Sequence, residues 1–213
     1  MNPYVITIAR EYGSGGRMIG EMLASRLGIP YYDRDIIRLA SEDSGIKEEL
    51  FGRVDEYTSA KRPLFGTNGI YTGVLIPPQS REFTSDENLF TYQAKIIKEL
   101  AQKGSCVIIG RCANFVLNRE EFPDVLRVYI HASMAYRLLN AEQKMSGTPK
   151  ELERFMRKDD RRKKEFCRRY VGKDWSDPDY YDLYLDTSVL GLEGCYAKIE
   201  QRYDILRGKT LNL

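Results

Sequence analysis

The chain has 213 residues, 42% of them hydrophobic and 30% charged, with a formal net charge of +2. Those proportions describe a globular chain long enough to bury a substantial core in one α/β domain. So small an excess of positive charge gives no overall reason to expect nucleic acid or an anionic membrane as partner. Apolar runs such as Cys106–Ile109 are far shorter than the ~20 residues of a membrane-spanning helix, and strand-like residues start too close to Met1 to leave room for a leader. A cytoplasmic protein is expected. Cys106, Cys112, Cys167 and Cys195 form no C-x-x-C pair and have no histidine nearby, which reads as four reduced, half-buried thiols.

The first element is a β-branched strand, Tyr4–Ile8, followed by Gly13-Ser14-Gly15-Gly16 and then an apolar-periodic helix from about Gly16 to Leu27. Ile19, Leu23, Ala24 and Leu27 make the apolar face of that helix, and Gly28 and Pro30 end it. Strand, glycine turn and helix in this order make a phosphate loop, whose backbone N–H groups and helix dipole converge on an anion. The alternative is a tight β–α turn without a ligand. The standard loop reads G-x-x-x-x-G-K-S/T. Aligned on Gly15, it puts Arg10 at the first glycine, Gly16 at the lysine and Arg17 at the hydroxyl. Arg10 and Arg17 are therefore the candidates for the missing charge.

Tyr31-Tyr32 reads as a very short second strand, and Asp33-Arg34-Asp35 as the cap of a helix from Ile36 to about Ser44. One aspartate is expected to cap and the other to face a ligand. Residues 45–88 are broken by Arg62-Pro63, Gly66, Asn68-Gly69, Gly73 and Pro77-Pro78, with only Ile70–Ile76 strand-like. Regular structure returns with a cap at 85–88, a helix from Leu89 to Lys103, and the buried strand runs Cys106–Ile109 and Leu126–Ile130. Gly110–Asn114 is a turn entering a short helix. Ala132–Gly147 reads as helical, with Ala135, Leu138, Leu139 and Glu142 along one side. A helix follows from Pro149 to about Tyr170, then a loop over 175–181, a strand Tyr184–Asp186, and a closing helix Leu192–Leu206. From Arg154 to Lys173 there are ten basic residues and three acidic ones. Such a run is usually a solvated face, but Arg154, Arg157, Arg161 and Arg168 share one arc, and Asp159-Asp160 can hold guanidinium groups in place.

This order of elements makes a doubly wound parallel sheet with helices on both faces. The phosphate loop, Asp33–Asp35 and Gly110–Asn114 all follow strand ends, so they should face one crevice. Arg111, directly after a buried strand, is expected to meet an anion there. His131, Trp175 and Tyr180, Tyr181 and Tyr184 read as packing residues.

Five motifs in order, Ala9–Arg17, Tyr31–Ile37, Gly110–Asn114, Asp159–Arg162 and Tyr184–Ser188, resemble the cytidylate kinase-like proteins, relatives of the nucleoside monophosphate kinases. The resemblance covers essentially the whole chain. It implies a three-layer α/β/α P-loop kinase with a core (1–44, 86–145 and 180–213), an acceptor-binding insertion (about 45–85) and an arginine-rich lid (about 146–179). It further implies ATP and Mg²⁺, phosphoryl transfer to a small acceptor such as CMP, and the lid arginines as a clamp. Cytidylate kinases carry lysine and, two positions later, threonine in the loop; here Gly16 and Met18 stand there. The expected phosphate site is Arg10, Gly13, Ser14, Gly15, Gly16, Arg17 and Met18, and the expected acceptor site Asp33, Asp35 and Arg111. Arg17, Arg111, Arg161 and Arg162 are the expected catalytic residues, and no residue is assigned to a metal. A nucleotide-binding regulatory module without catalysis is the rival, and a nucleic-acid binder a distant third.

Overall fold

The structure, a computed structural model, describes residues 3–56 and 70–208. β1 (Val5–Arg10) is buried along its whole length, as a strand covered on both faces must be. It lies between β3 (Cys106–Ile109) and β4 (Val125–His131), with β2 (Tyr31–Tyr32) outside β3 and β5 (Leu183–Asp186) outside β4. All four pairings are parallel.

Alternate side chains feed two layers. Ile6, Ile8, Val107, Ile109, Val128 and Ile130 pack with Ile19 and Leu23 of α1 (Gly16–Leu27) and with Cys195 and Ile199 of α8 (Thr187–Leu206). Val5, Ala9, Ile108, Val125 and Tyr129 face the other way. There they meet Ile36 and Ala40 of α2 (Asp35–Ser44), Phe51 of the short α3 (Glu48–Phe51), Phe90 and Ile97 of α4 (Asp86–Lys103), and Phe166 and Tyr170 of α7 (Pro149–Val171). Phe90 stacks on Tyr170, ring centroids 4.6 Å apart. This is the expected three-layer architecture, and the order of strand addition switches from one side of β1 to the other, the place where such folds hold their ligands.

Several sequence expectations are corrected. Ile70–Ile76 is not a strand; Ile76 instead donates its N–H to Asn88 Oδ1 at 2.8 Å and accepts from Asn88 Nδ2 at 3.2 Å. Arg62-Pro63, Gly66 and Asn68-Gly69 lie outside the described residues. The helix expected over 132–147 is shorter, α6 (Met134–Glu142), and its inward residues are Arg137 and Ala141 while Ala135 and Leu139 face solvent. Periodicity misjudged that face because a buried arginine, satisfied by ion pairs, takes the place of an apolar side chain. Neither Asp33 nor Asp35 caps α2, which starts at Asp35 after Arg34 with no side-chain cap bond. The closing helix starts at Thr187 and kinks at Gly191. The basic run over 154–173 is not simply a solvated face, because α7 buries Leu152, Met156, Phe166, Cys167 and Tyr170.

The thiols are corrected as well. Cys112 and Cys167 form a disulfide, their Cα atoms 5.9 Å apart across 55 residues of sequence, while Cys106 and Cys195 are free and buried. Local spacing could not show the pair. It exists because the aromatic packing of α7 against α4 sets Cys167 beside α5 (Ala113–Val116), for which Cys112 is the N-cap. The bridge ties α7 to the turn after β3.

Candidate functional site

The chain after β1 turns at Gly13 (φ 78°) and Gly15 (φ 83°) before α1 begins. Both conformations favour glycine, and at Gly13 the backbone of α6 leaves no room for anything else. A Cβ at Gly13 would lie 2.9 Å from the Arg137 carbonyl oxygen, and one at Gly15 2.5 Å from Leu192 Cδ2. The first amides of α1 have no acceptor within their own helix. They open into a cavity of about 670 Å³, whose walls are the loop, α6, α7 and Leu192.

A polar network fixes the loop. Asn140 Nδ2 donates to the Gly13 carbonyl at 2.8 Å and Arg137 Nε to the Tyr12 carbonyl at 2.6 Å. Arg137 also pairs with Glu11 at 3.1 Å and with Asp160, whose other oxygen accepts the Tyr12 N–H at 2.8 Å. On the inner side, Ser14 donates its hydroxyl to the Glu11 carbonyl, and its own carbonyl accepts from Thr187 Oγ1 at 2.7 Å. The loop is thus braced by α6, α7 and α8 together.

A second network lies beneath it. Arg10 pairs with Glu56 at 2.7 Å, and both are almost wholly buried. Glu56 Oε2 also accepts the Arg111 N–H at 2.9 Å. Burial pushes the Glu56 carboxyl up, but Arg10, Arg111 and Lys163 outweigh it and hold the group below its ordinary value of 4.5. Arg111 is fully buried, with its guanidinium donating to the Asp33 carbonyl, Asp55 and Gln93. Arg111 and Cys112 both take positive φ, 54° and 55°, a costly conformation for residues with side chains. The guanidinium bonds and the disulfide keep them in it.

The structure brings together only part of the expected site. Arg10, Gly13, Gly15, Gly16, Arg17, Met18 and Arg162 line the cavity, and Ser14 lies behind the loop. Arg17 has a side chain 59% exposed and reaches Glu21 at 3.1 Å and Asp33 at 3.7 Å. Asp33 is buried, and Asp35 is exposed in the first turn of α2. Arg161 is exposed on the outer arc with Arg154, Arg157 and Arg168. Arg111, Arg161, Asp33 and Asp35 are not among the lining residues. Sequence reasoning missed Glu11, Tyr12, Asn140, Lys144 and Lys163, which are. Lys163 carried a usable signal: Asp159 and Lys163 stand four apart on one helix face, and they pair at 2.6 Å, both buried.

A family model described as the cytidylate kinase-like family matches residues 5–189. The chain belongs to that family. Solved structures carry the same fold. An uncharacterized protein from Eubacterium ventriosum aligns at 21% identity and a TM-score of 0.68, covering 94% of this chain and 98% of that one. A shikimate kinase from Bacteroides thetaiotaomicron aligns at 12% identity with a TM-score of 0.53, again over 94% and 98%. A gluconokinase from Sinorhizobium meliloti aligns at 17% identity with a TM-score of 0.53, over 98% of both chains. No curated protein matches. Membership of this family and a P-loop kinase fold support phosphoryl transfer as the general chemistry. Among the described residues, no helix is long and apolar enough to cross a membrane.

Proposed function

We propose that this chain moves the γ-phosphoryl group of ATP to a small acceptor. The observation that carries the reading is the braced glycine loop, opening at the sheet's switch point into a cavity edged by cationic side chains. Loop amides would cradle the donor phosphates, and Arg162 would stabilise charge on the transferring group, which in-line transfer needs more than covalent chemistry. Arg17 and Arg161 belong to this reading as clamping residues, and Arg111, Asp33 and Asp35 as the acceptor side.

The division into a core, an insertion over about 45–85 and a lid over about 146–179 belongs to the same proposal. So does a cytoplasmic location, where ATP is plentiful. CMP is one candidate acceptor, suggested by the family's description. Shikimate and gluconate, from the names of two structural neighbours, belong in the same screen.

The Mg²⁺ that the resemblance implies does not find a fitting ligand set. Met18 and Arg17 stand where a hydroxyl would be, and the cavity carboxylates Glu11 and Asp159 are already paired with Arg137 and Lys163. Among the described residues no three acidic, histidine or cysteine side chains cluster as a metal site. No step of this reading runs through a protein-bound metal.

A thermal-shift screen of nucleoside mono- and triphosphates with Mg²⁺, followed by ATP consumption with each acceptor, tests the proposal. ATP at 100 times its Kd adds ~2.7 kcal/mol of stability, a readily measured shift. No stabilisation by any triphosphate overturns the reading. Stabilisation without turnover across the acceptor screen favours the regulatory module instead. That second reading draws on the absence of both lysine and hydroxyl from the loop.

A further inference from the structure

A phosphate loop without its lysine still has to neutralise the charge of the donor, and of three obvious sources two are closed off and the third is engaged elsewhere. A side chain at Gly16 has no room: its Cβ would lie 2.5 Å from Arg10 Cβ and 3.2 Å from Ile130 Cβ. Neither contact is the far end of a flexible chain. Arg10 lines the cavity, but its guanidinium is buried against Glu56 at 2.7 Å. Arg17 extends toward solvent, Glu21 and Asp33.

Lys163 is differently placed. It rises from α7, lines the cavity, and lies with its Nζ 3.4 Å from the carbonyl oxygen of Arg10, the residue at the motif's first position. Its ammonium is also 5.9 Å from the centre of the Tyr12 ring. The pair with Asp159 at 2.6 Å and the longer one with Asp160 at 3.7 Å hold this cation in a site from which water is largely excluded. A lysine ammonium is a compact, rotatable point charge, suited to a phosphate in a tight cavity where a planar guanidinium would not turn.

We propose that Lys163 takes the place of the missing loop lysine, giving up part of its pairing with Asp159 to bind the terminal phosphates of the nucleotide. The charge then comes from the lid segment rather than from α1, so the full phosphate site exists only while α7 lies on the loop. This inference rests on reading the cavity as an ATP site.

The test measures ATP and AMP affinity by calorimetry on the wild-type chain, Lys163→Met, and the double variant Asp159→Asn/Lys163→Met, which removes both charges and leaves no buried carboxylate unpaired. Thermal melting checks the fold of each. The expected result is ATP affinity at least tenfold lower in both variants, with AMP affinity within about twofold of wild type. A purely structural role would weaken both nucleotides together, and that outcome, or unchanged ATP affinity, overturns the proposal.

An ATP bearing an acyl group on its γ-phosphate gives an independent readout. It passes the acyl group to a neighbouring amine, forming an amide and releasing ATP and a proton, and mass spectrometry finds the lysine. Labelling of Lys163, suppressed by excess ATP, is expected; labelling confined to Lys144 overturns the assignment. If the wild-type chain binds no ATP at all, the parent reading of the cavity fails. Wild-type binding with an indifferent Lys163→Met defeats this inference alone.

Discussion

At the scale of single residues, buried charge sets the character of this site. Glu56 faces Arg10 and the Arg111 amide in a place where neither charge can be left alone. Removing one partner from a buried pair costs roughly 3–5 kcal/mol, so Glu56→Ala should lose about that much in urea denaturation; a loss below ~1 kcal/mol would show the pair to be dispensable. Its acid dependence has a definite sign. The folded group lies below 4.5, so its contribution is complete above that value and disappears as pH falls through the lower folded one. Glu56→Gln should flatten this acid limb of the stability curve, and an unchanged limb would assign the acid sensitivity to other carboxylates. Gly16→Lys, which restores the usual motif on paper, should instead destabilise by ~1–3 kcal/mol through overpacking and should not tighten ATP binding. A folded Gly16→Lys with improved ATP affinity would count against the crowding at Arg10.

At the scale of elements, the disulfide matters most. It joins α7 to the turn after β3 across 55 residues, and closing a loop of that length is worth ~2–4 kcal/mol. Dithiothreitol should therefore lower the melting temperature of the wild-type chain but not that of Cys167→Ala. Equal reductant sensitivity in the two would remove the bridge from the account. The same tie qualifies how α7 can move. With its C-terminal half packed on α4 and cross-linked, α7 can shift chiefly toward its N-terminal end. Hydrogen exchange should then slow over 149–163 when ATP and acceptor bind together, with little change over 164–171, which is protected from the start. Uniform exchange along α7 in both states would refute that division.

At the scale of the molecule, the layered fold was legible because it rests on local signals. β-branched runs, a glycine loop and helix caps placed β1, α1, β3 and β4 with few errors. What escaped the sequence depends on groups far apart in the chain. The inward face of α6 was misread because Arg137 is buried by partners on the loop and on α7, and no periodicity counts those partners. Arg111 looked like a crevice residue from its place after a strand, yet Asp55, Gln93 and the Asp33 carbonyl take it out of the cavity. Cys112 with Cys167, and Lys163 with the Arg10 carbonyl, are tertiary pairs of the same kind.

The crowding of Gly16 by Arg10 joins the two departures from the usual loop into one. The standard motif has glycine at the first position and a long side chain at the seventh, directly after its second glycine; this chain has the long side chain first and glycine at the seventh. Each arrangement excludes the other, because both side chains would start from the same few ångströms of space. The two positions should accordingly vary together in the family: relatives with lysine at 16 should have a small residue at 10, and relatives with arginine at 10 a glycine at 16. A change at either position alone would pass through a crowded or a hollow loop, so a lineage would be expected to cross between the two forms only by way of a small residue at both.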